Sequence, residues 1–199
     1  MKNIKLIAIA TVAVIFTSCS NSEKNAGANT DTMGLSTDSL TPYDSATTVN
    51  NAQDTASNTA MAFALKAGAG GLLEVELGNL VKSNAAHQRV KNFGQMMVKD
   101  HTAANAELIA LAQQKNFNIP TTLSVEMQTH VNELKALKGA DFDKKYMDMM
   151  VKDHKEDIGL FEEAASHSTD ADVKAFAAKT LPTLKMHQDS AKAVKGALK

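Results

Sequence analysis

The sequence predicts an all-α fold, a four-helix bundle with a short extra crossover helix, carried behind an export signal and a polar spacer. Three observations lead there. From Asn58 onward, apolar residues recur at spacings of three and four, the period of a helix with one buried stripe. The composition is rich in Ala, Leu, Met and Lys, with ten Met, three Pro and no Trp, a helix-forming vocabulary with few breakers. Four of the periodic stretches run to roughly 25–30 residues, enough to span about 40 Å each, the dimension of a bundle helix.

Taken in order, the first helix is expected over 58–84, with Leu65, Ala69, Leu72, Leu73, Leu77 and Leu80 facing inward. The second is expected over 86–116, with Val90, Phe93, Met97, His101, Ala104, Leu108 and Leu111 as its inner stripe. Pro120 marks a connection at 118–122. A shorter helix follows at 122–138 and is expected to stop at Gly139, a C-cap residue able to take a left-handed backbone. Asp141 reads as the N-cap of a long helix over 142–167, and Asp170 as the start of the last, running towards 197. Pro182 lies inside that last helix and is expected to kink it, unless a boundary falls there.

The N-terminal text is of another kind. Lys2 and Lys5 precede an apolar run from Leu6 to Phe16, interrupted only by Thr11 and followed by Thr17, Ser18 and Cys19. This is the anatomy of a secretory signal over 1–18, too short for a membrane-spanning helix. The small residues before the cysteine resemble the lipobox of bacterial lipoproteins, with Phe16 standing where Leu is commoner. That resemblance implies that Cys19 carries acyl chains and attaches the protein to a membrane. Ser20, being other than Asp, points by the same likeness to the outer membrane, facing the periplasm or the surface. Cys19 is the only cysteine, so neither an intrachain disulfide nor a thiolate metal site is available. Residues 19–57, rich in Asn, Ser, Thr and Asp, show no period and read as a disordered tether. A net charge of −1 gives no basic surplus for nucleic acid.

The most informative feature is an internal echo. Residues 96–101 read Met-Met-Val-Lys-Asp-His, and 149–154 read the same. It suggests duplicated helical hairpins, or two helices with one structural task. In each copy a Met and a His stand four residues apart (Met97 with His101, Met150 with His154), so they share a helix face. A stripe that buries the Met therefore brings the imidazole with it. Asp100 and Asp153, about 100° round the helix from that stripe, are expected on its flank. Other candidates are Glu74, set in an apolar stretch, Asp157 three residues after His154, and His187 on the last helix.

Three readings of these residues stand open. His101, His154 and His187, with Glu74 or Asp157, bind a transition metal such as Fe, Cu or Zn. Alternatively they form a structural polar layer in a partner-binding or purely structural protein, or they are partly exposed and idle. Phosphate loops, nucleophile elbows and the His-Glu-x-x-His motif do not occur in the sequence, so a binding role is expected ahead of an enzymatic one.

The stretches 72–78 (Leu-Leu-Glu-Val-Glu-Leu-Gly), 93–101, 141–146, 150–154 and 181–187 (Leu-Pro-Thr-Leu-Lys-Met-His) resemble a bacterial family known as domain of unknown function 4142, often labelled predicted outer-membrane protein. The likeness covers about residues 58–197. It implies a ferritin-like fold with recurrent polar positions at Glu74, Asp100, His101, His154, Asp157 and His187. Di-iron ferritin-like proteins carry paired Glu-x-x-His motifs. This sequence has none, only His154-x-x-Asp157 once, which speaks against oxygen-activating di-iron chemistry and leaves a metal-dependent oxidoreductase as the least supported alternative.

Overall fold

A computed structural model describes the backbone of residues 47–198 and the side chains of 55–198. The expected signal peptide, Cys19 and most of the tether lie outside the described residues. Within them the chain is helical throughout: α1 (Thr47–Asn84), α2 (Gln88–Gln114), α3 (Val125–Lys135), α4 (Gly139–His167) and α5 (Ala171–Gly196). A lone β-bridge joins Ala85 to Gly139. None of the described helices is long and apolar enough to cross a membrane.

The long helices pack in a ring: α1 against α2 and α4, and α5 against α4 and α2, with α3 laid over α1 and α4. Short links at 85–87 and 168–170 make α1–α2 and α4–α5 antiparallel neighbours. The connection between the two hairpins travels the length of the bundle. Phe117 and Ile119, just past α2, pack on an apolar cluster at one end, while Val131 and Leu134 of α3 belong to the cluster at the other. Helices α2 and α4 therefore run parallel across the diagonal.

Capping explains where the elements begin and end. Asp143, only 3 % exposed, accepts from the backbone N–H groups of Ala86 and His87 at 3.2 and 2.7 Å, tying the α1–α2 turn to the start of α4. Ser124 accepts from Met127 N–H to open α3, and Asp170 accepts from Asp172 and Val173 to open α5. Asn84 donates to the carbonyls of Lys135 and Leu137, which binds the end of α3 to the end of α1 and satisfies carbonyls that the helix leaves unpaired.

Several expectations are corrected. Helix α1 starts at Thr47, eleven residues before the expected Asn58. A helix propagates outward from a packed segment at little cost, because each further residue adds a bond. The inner stripe of α1 is also shifted. Ala60, Phe63, Ala64, Ala67, Leu77 and Val81 are buried, whereas Leu65 is 37 % exposed and Ala69, Leu72, Leu73 and Leu80 are half-buried. Small residues line the seam because α1 and α2 cross closely: a Cβ on Gly94 would stand 2.6 Å from the side chain of Val81, and one on Gly78 3.0 Å from the carbonyl of Gly94. In α2, Ala104 and Leu111 are half-buried and Ala112 takes a core place. Gly139 does not end the short helix. That helix ends at Lys135 with Ala136 as its cap, and Gly139, at φ 63°, opens α4. Asp141 lies in the first turn of α4, where its charge suits the helix dipole, and the N-cap position is Lys138. Pro182 lies within α5, which continues through it. The echo matches α2 with α4.

The core falls into two parts. One cluster contains Leu77, Val81, Phe93, Met97, Tyr146, Met150 and Ala191. The other contains Ala67, Leu108, Phe161, Phe176 and Leu184, where Phe63 meets Phe161 edge-on with ring centres 5.0 Å apart. Full burial of side chains of this size stabilises the fold by roughly 1.5–3 kcal/mol each. On every long helix the residue between the two clusters is polar: Glu74, His101, His154 and His187.

Candidate metal centre

Each of these four side chains is held by its helix register. On α2 and α4, the buried Met97 and Met150 fix the face, and His101 and His154 follow one turn later. On α1, Glu74 lies one turn before Leu77 and two turns after Ala67. On α5, His187 follows Leu184 by three residues. All four side chains are at most 6 % exposed. The three rings meet, with centres 5.3–5.5 Å apart. One nitrogen of each ring lies within 4.8 Å of one nitrogen of each of the others, the one such convergence of three potential ligands among the described residues.

The hydrogen bonds decide which nitrogens those are. His101 Nδ1 is 2.8 Å from Glu74 Oε2. His154 Nδ1 is 3.0 Å from the carbonyl of Met150. His187 Nε2 is 3.0 Å from Asp100 Oδ2. These three outward partners are acceptors, a carbonyl and two carboxylates, so each ring donates outward. Left over are His154 Nε2 and His187 Nδ1, 3.3 Å apart, and His101 Nε2, which is buried without a partner.

Burial sets the protonation states. Desolvation pushes His101 and His154 down to about 4, and lowers His187 as well. The same cause raises Glu74 to about 7. Burial thus works against charge on both sides of the 2.8 Å contact between Glu74 and His101, raising the carboxyl and lowering the imidazole. At neutral pH each ring is neutral and holds one proton, which the outward acceptor claims. Three lone pairs then converge on one buried spot.

Two expected residues take other places. Glu74 contacts rings through their outer nitrogens: its Oε1 lies 3.3 Å from His154 Nδ1, an N–H that is aimed at Met150. Asp157, half-buried and raised to about 8 by burial and then by the nearby Glu74, lines a small gap with Glu74, His101, Asn105 and Thr180, closed otherwise by apolar side chains such as Leu108 and Phe161. Asp100 was expected on the flank of its helix, and the family resemblance counts it among the recurrent polar positions. It does lie there, but that flank faces α5, so its carboxylate reaches His187. The signal in the sequence was its inclusion in the repeated hexapeptide. Asp153, its counterpart in the echo, has a buried Oδ2 with no partner.

Of the remaining histidines, His87 caps α2 by accepting from Arg89 N–H. His130 and His167 are exposed.

No curated protein and no solved structure matches the chain. Residues 45–194 match the family described as a domain of unknown function, DUF4142. With three quarters of its length matched, the chain belongs to that family.

Proposed function

We propose that this protein is an envelope lipoprotein, anchored in the outer membrane through Cys19, whose ferritin-like bundle binds one transition-metal ion through His101 Nε2, His154 Nε2 and His187 Nδ1. Two antiparallel hairpins joined by a single long crossover support the ferritin-like reading, because that is the connectivity of such folds. The observation that carries the metal site is the outward orientation of all three ring N–H groups. Ligating histidines are held in this way, by a carboxylate or carbonyl on the far nitrogen. Here Glu74, Met150 and Asp100 supply those acceptors. Three neutral imidazoles suit Zn, Cu(II) or Fe(II), and a site with three protein ligands leaves room for an exogenous one. Asp157 sits close enough to Glu74 and His101 to offset the charge of a bound ion. The role is binding rather than oxygen activation, since the paired Glu-x-x-His of di-iron proteins is missing from the sequence.

Metal analysis of untagged protein, incubated with Fe, Cu and Zn and then desalted, tests the reading. The wild type is expected to retain about one ion per chain and His101→Ala/His154→Ala to retain none. Equal, negligible metal in both would overturn it.

A second reading has one observation in its favour. The 3.3 Å separation of His154 Nε2 and His187 Nδ1 is also a hydrogen-bond distance, as a structural imidazole layer requires. That layer needs one of the two rings to carry a second proton or to abandon its outward acceptor. It predicts a melting temperature indifferent to chelation and to added metal.

A further inference from the structure

We propose that the end of the bundle where α1 turns into α2 is a docking surface for a lipid bilayer rich in anionic phosphate headgroups. It stands independently of the imidazole site and of Cys19. Four helices are tied together at this end. Asn84, at the end of α1, donates to the carbonyls of Lys135 and Leu137, and Asp143, near the start of α4, accepts from Ala86 and His87. The end of α5 joins them: Ala191 packs in the same apolar cluster as Val81, Phe93 and Tyr146, and Lys195 reaches Asp148 at 2.7 Å.

The cations gathered there carry the proposal. Lys82 of α1, Arg89 of α2, Lys135 of α3, Lys144 and Lys145 of α4 and Lys192 of α5 are all exposed, and none belongs to an ion pair among the described residues. Lys138, bonded to the amide oxygen of Asn84, adds a further charge without a carboxylate. Asp141, and Asp189 one turn before Lys192, are the exposed carboxylates near them that have no partner. The opposite end is built differently. Lys115 is held by Asp170 and Asp172 at 2.7 and 2.8 Å, and Lys179 by Glu107 at 2.8 Å. A chain with a formal net charge of −1 therefore collects unpaired positive charge at one end. Stability does not select that arrangement. Like charges repel in the free protein, and Arg89 stands in the first turn of α2, where a positive charge opposes the helix dipole. An anionic surface relieves both.

The kind of partner follows from what surrounds the charges. They come from all five helices and spread over an end of the bundle, which suits a plane of headgroups. Nearly all are Lys, a point charge on a flexible stem that needs no fixed geometry in its acceptor. Phe93, Phe142 and Tyr146, the large aromatic side chains of this end, are buried, so no ring is offered to stack on a nucleobase. Leu137 and Leu198, half-buried at the same end, set apolar surface among the cations, the combination that rests at the boundary of headgroups and acyl chains.

The test is sedimentation of the full chain with vesicles of phosphatidylcholine, alone or mixed with phosphatidylglycerol. EDTA is present throughout, and every sample carries Cys19→Ser, so neither metal nor an acyl chain contributes. The parent chain is expected to prefer the anionic vesicles and to leave them as salt rises, since salt screens the charges. Each Lys near such a surface contributes about fivefold in binding, so Lys144→Gln/Lys145→Gln is expected to weaken it by about thirtyfold. Lys179→Gln/Lys185→Gln removes the same charge from cations that are already paired and is expected to bind as the parent does. A circular-dichroism melt confirms that each variant is folded. Equal binding to neutral and anionic vesicles, equal loss in the two double variants, or undiminished binding by Lys144→Gln/Lys145→Gln would each overturn the proposal. Binding to polyglutamate without binding to the anionic vesicles would also overturn it and assign the surface to an acidic polypeptide.

Discussion

Replacing Asp100 by Asn probes the imidazole site without touching a ligand. Asp100 accepts from His187 Nε2 at 3.0 Å and is about a quarter exposed. Asn can still accept that hydrogen bond but brings no charge, so the ring stays aimed while its inner nitrogen becomes a weaker donor. Such outer partners typically govern metal affinity by about 10–100-fold, or roughly 1.4–2.7 kcal/mol. A ligand that binds only the folded state, present at a hundred times its dissociation constant, stabilises by about 2.7 kcal/mol. For a domain of this size each kcal/mol moves the melting temperature by roughly 2–4 °C. Zn(II) at that excess is therefore expected to raise the wild-type midpoint by about 5–11 °C. Asp100→Asn at the same Zn(II) concentration should recover less than about half of that shift, with an unchanged midpoint in EDTA. Circular dichroism at the helical band measures all four midpoints. An undiminished shift in the variant would refute the claim that Asp100 acts through His187. A wild type indifferent to Zn, Co and Cu would refute the site itself.

The buried carboxylates give a pH signature. Asp157 moves from an ordinary 3.8 to about 8 on folding, so its neutral form is favoured in the fold. Its contribution is fully present below pH 3.8 and is lost as pH rises through 8. Metal-free Asp157→Asn should thus match the wild type near pH 4 and exceed it in urea midpoint at pH 9. Gly94→Ala places a methyl group 2.6–2.9 Å from three atoms of Val81, and Val81 is 1 % exposed. Overpacking of about 1–3 kcal/mol should outweigh the helix-propensity gain of Ala, about 1 kcal/mol, and lower the urea midpoint; a raised midpoint would show that the helices separate freely. Asp143→Ala leaves the N–H groups of Ala86 and His87 without their acceptor and should cost about 2–3 kcal/mol in chemical denaturation. Hydrogen exchange at those two amides should rise more than at the amides of α2.

Much of this architecture is legible in the sequence, because helices with one buried stripe declare themselves by period. The stripes of α2 and α4 are anchored by large residues, so Met97 and Met150 point to the right face and carry His101 and His154 with them. Helix α1 misleads for a physical reason. Its inner face mixes Ala, Gly and one Glu with Phe63, Leu77 and Val81, which allows the close crossing with α2, and Leu65, Leu72, Leu73 and Leu80 sit beside the seam, so hydrophobicity picks the wrong side. Gly139 misleads because a left-handed glycine can serve either end of a helix, and only the tie between Asp143 and the α1–α2 turn decides which. His187 reads as a candidate from its place on the last helix. The partner of Asp100 is not legible, since a helical wheel gives the angle of a side chain but not which neighbour lies there. The unpaired state of Glu74 Oε1 is likewise a property of three helices at once.

The interruption of the apolar core by Glu74, His101, His154 and His187 has a mechanical consequence. Helices α1, α2, α4 and α5 run unbroken through that layer, so the two apolar halves meet at a polar joint and are held to each other through the helices themselves. A bound ion would rivet that joint by tying α2, α4 and α5 together at one point. Stripped of it, the Phe161 lobe and the Tyr146 lobe should exchange their amide protons at separate rates, and the ratio of those rates would report occupancy of the joint without any spectroscopic handle on the metal.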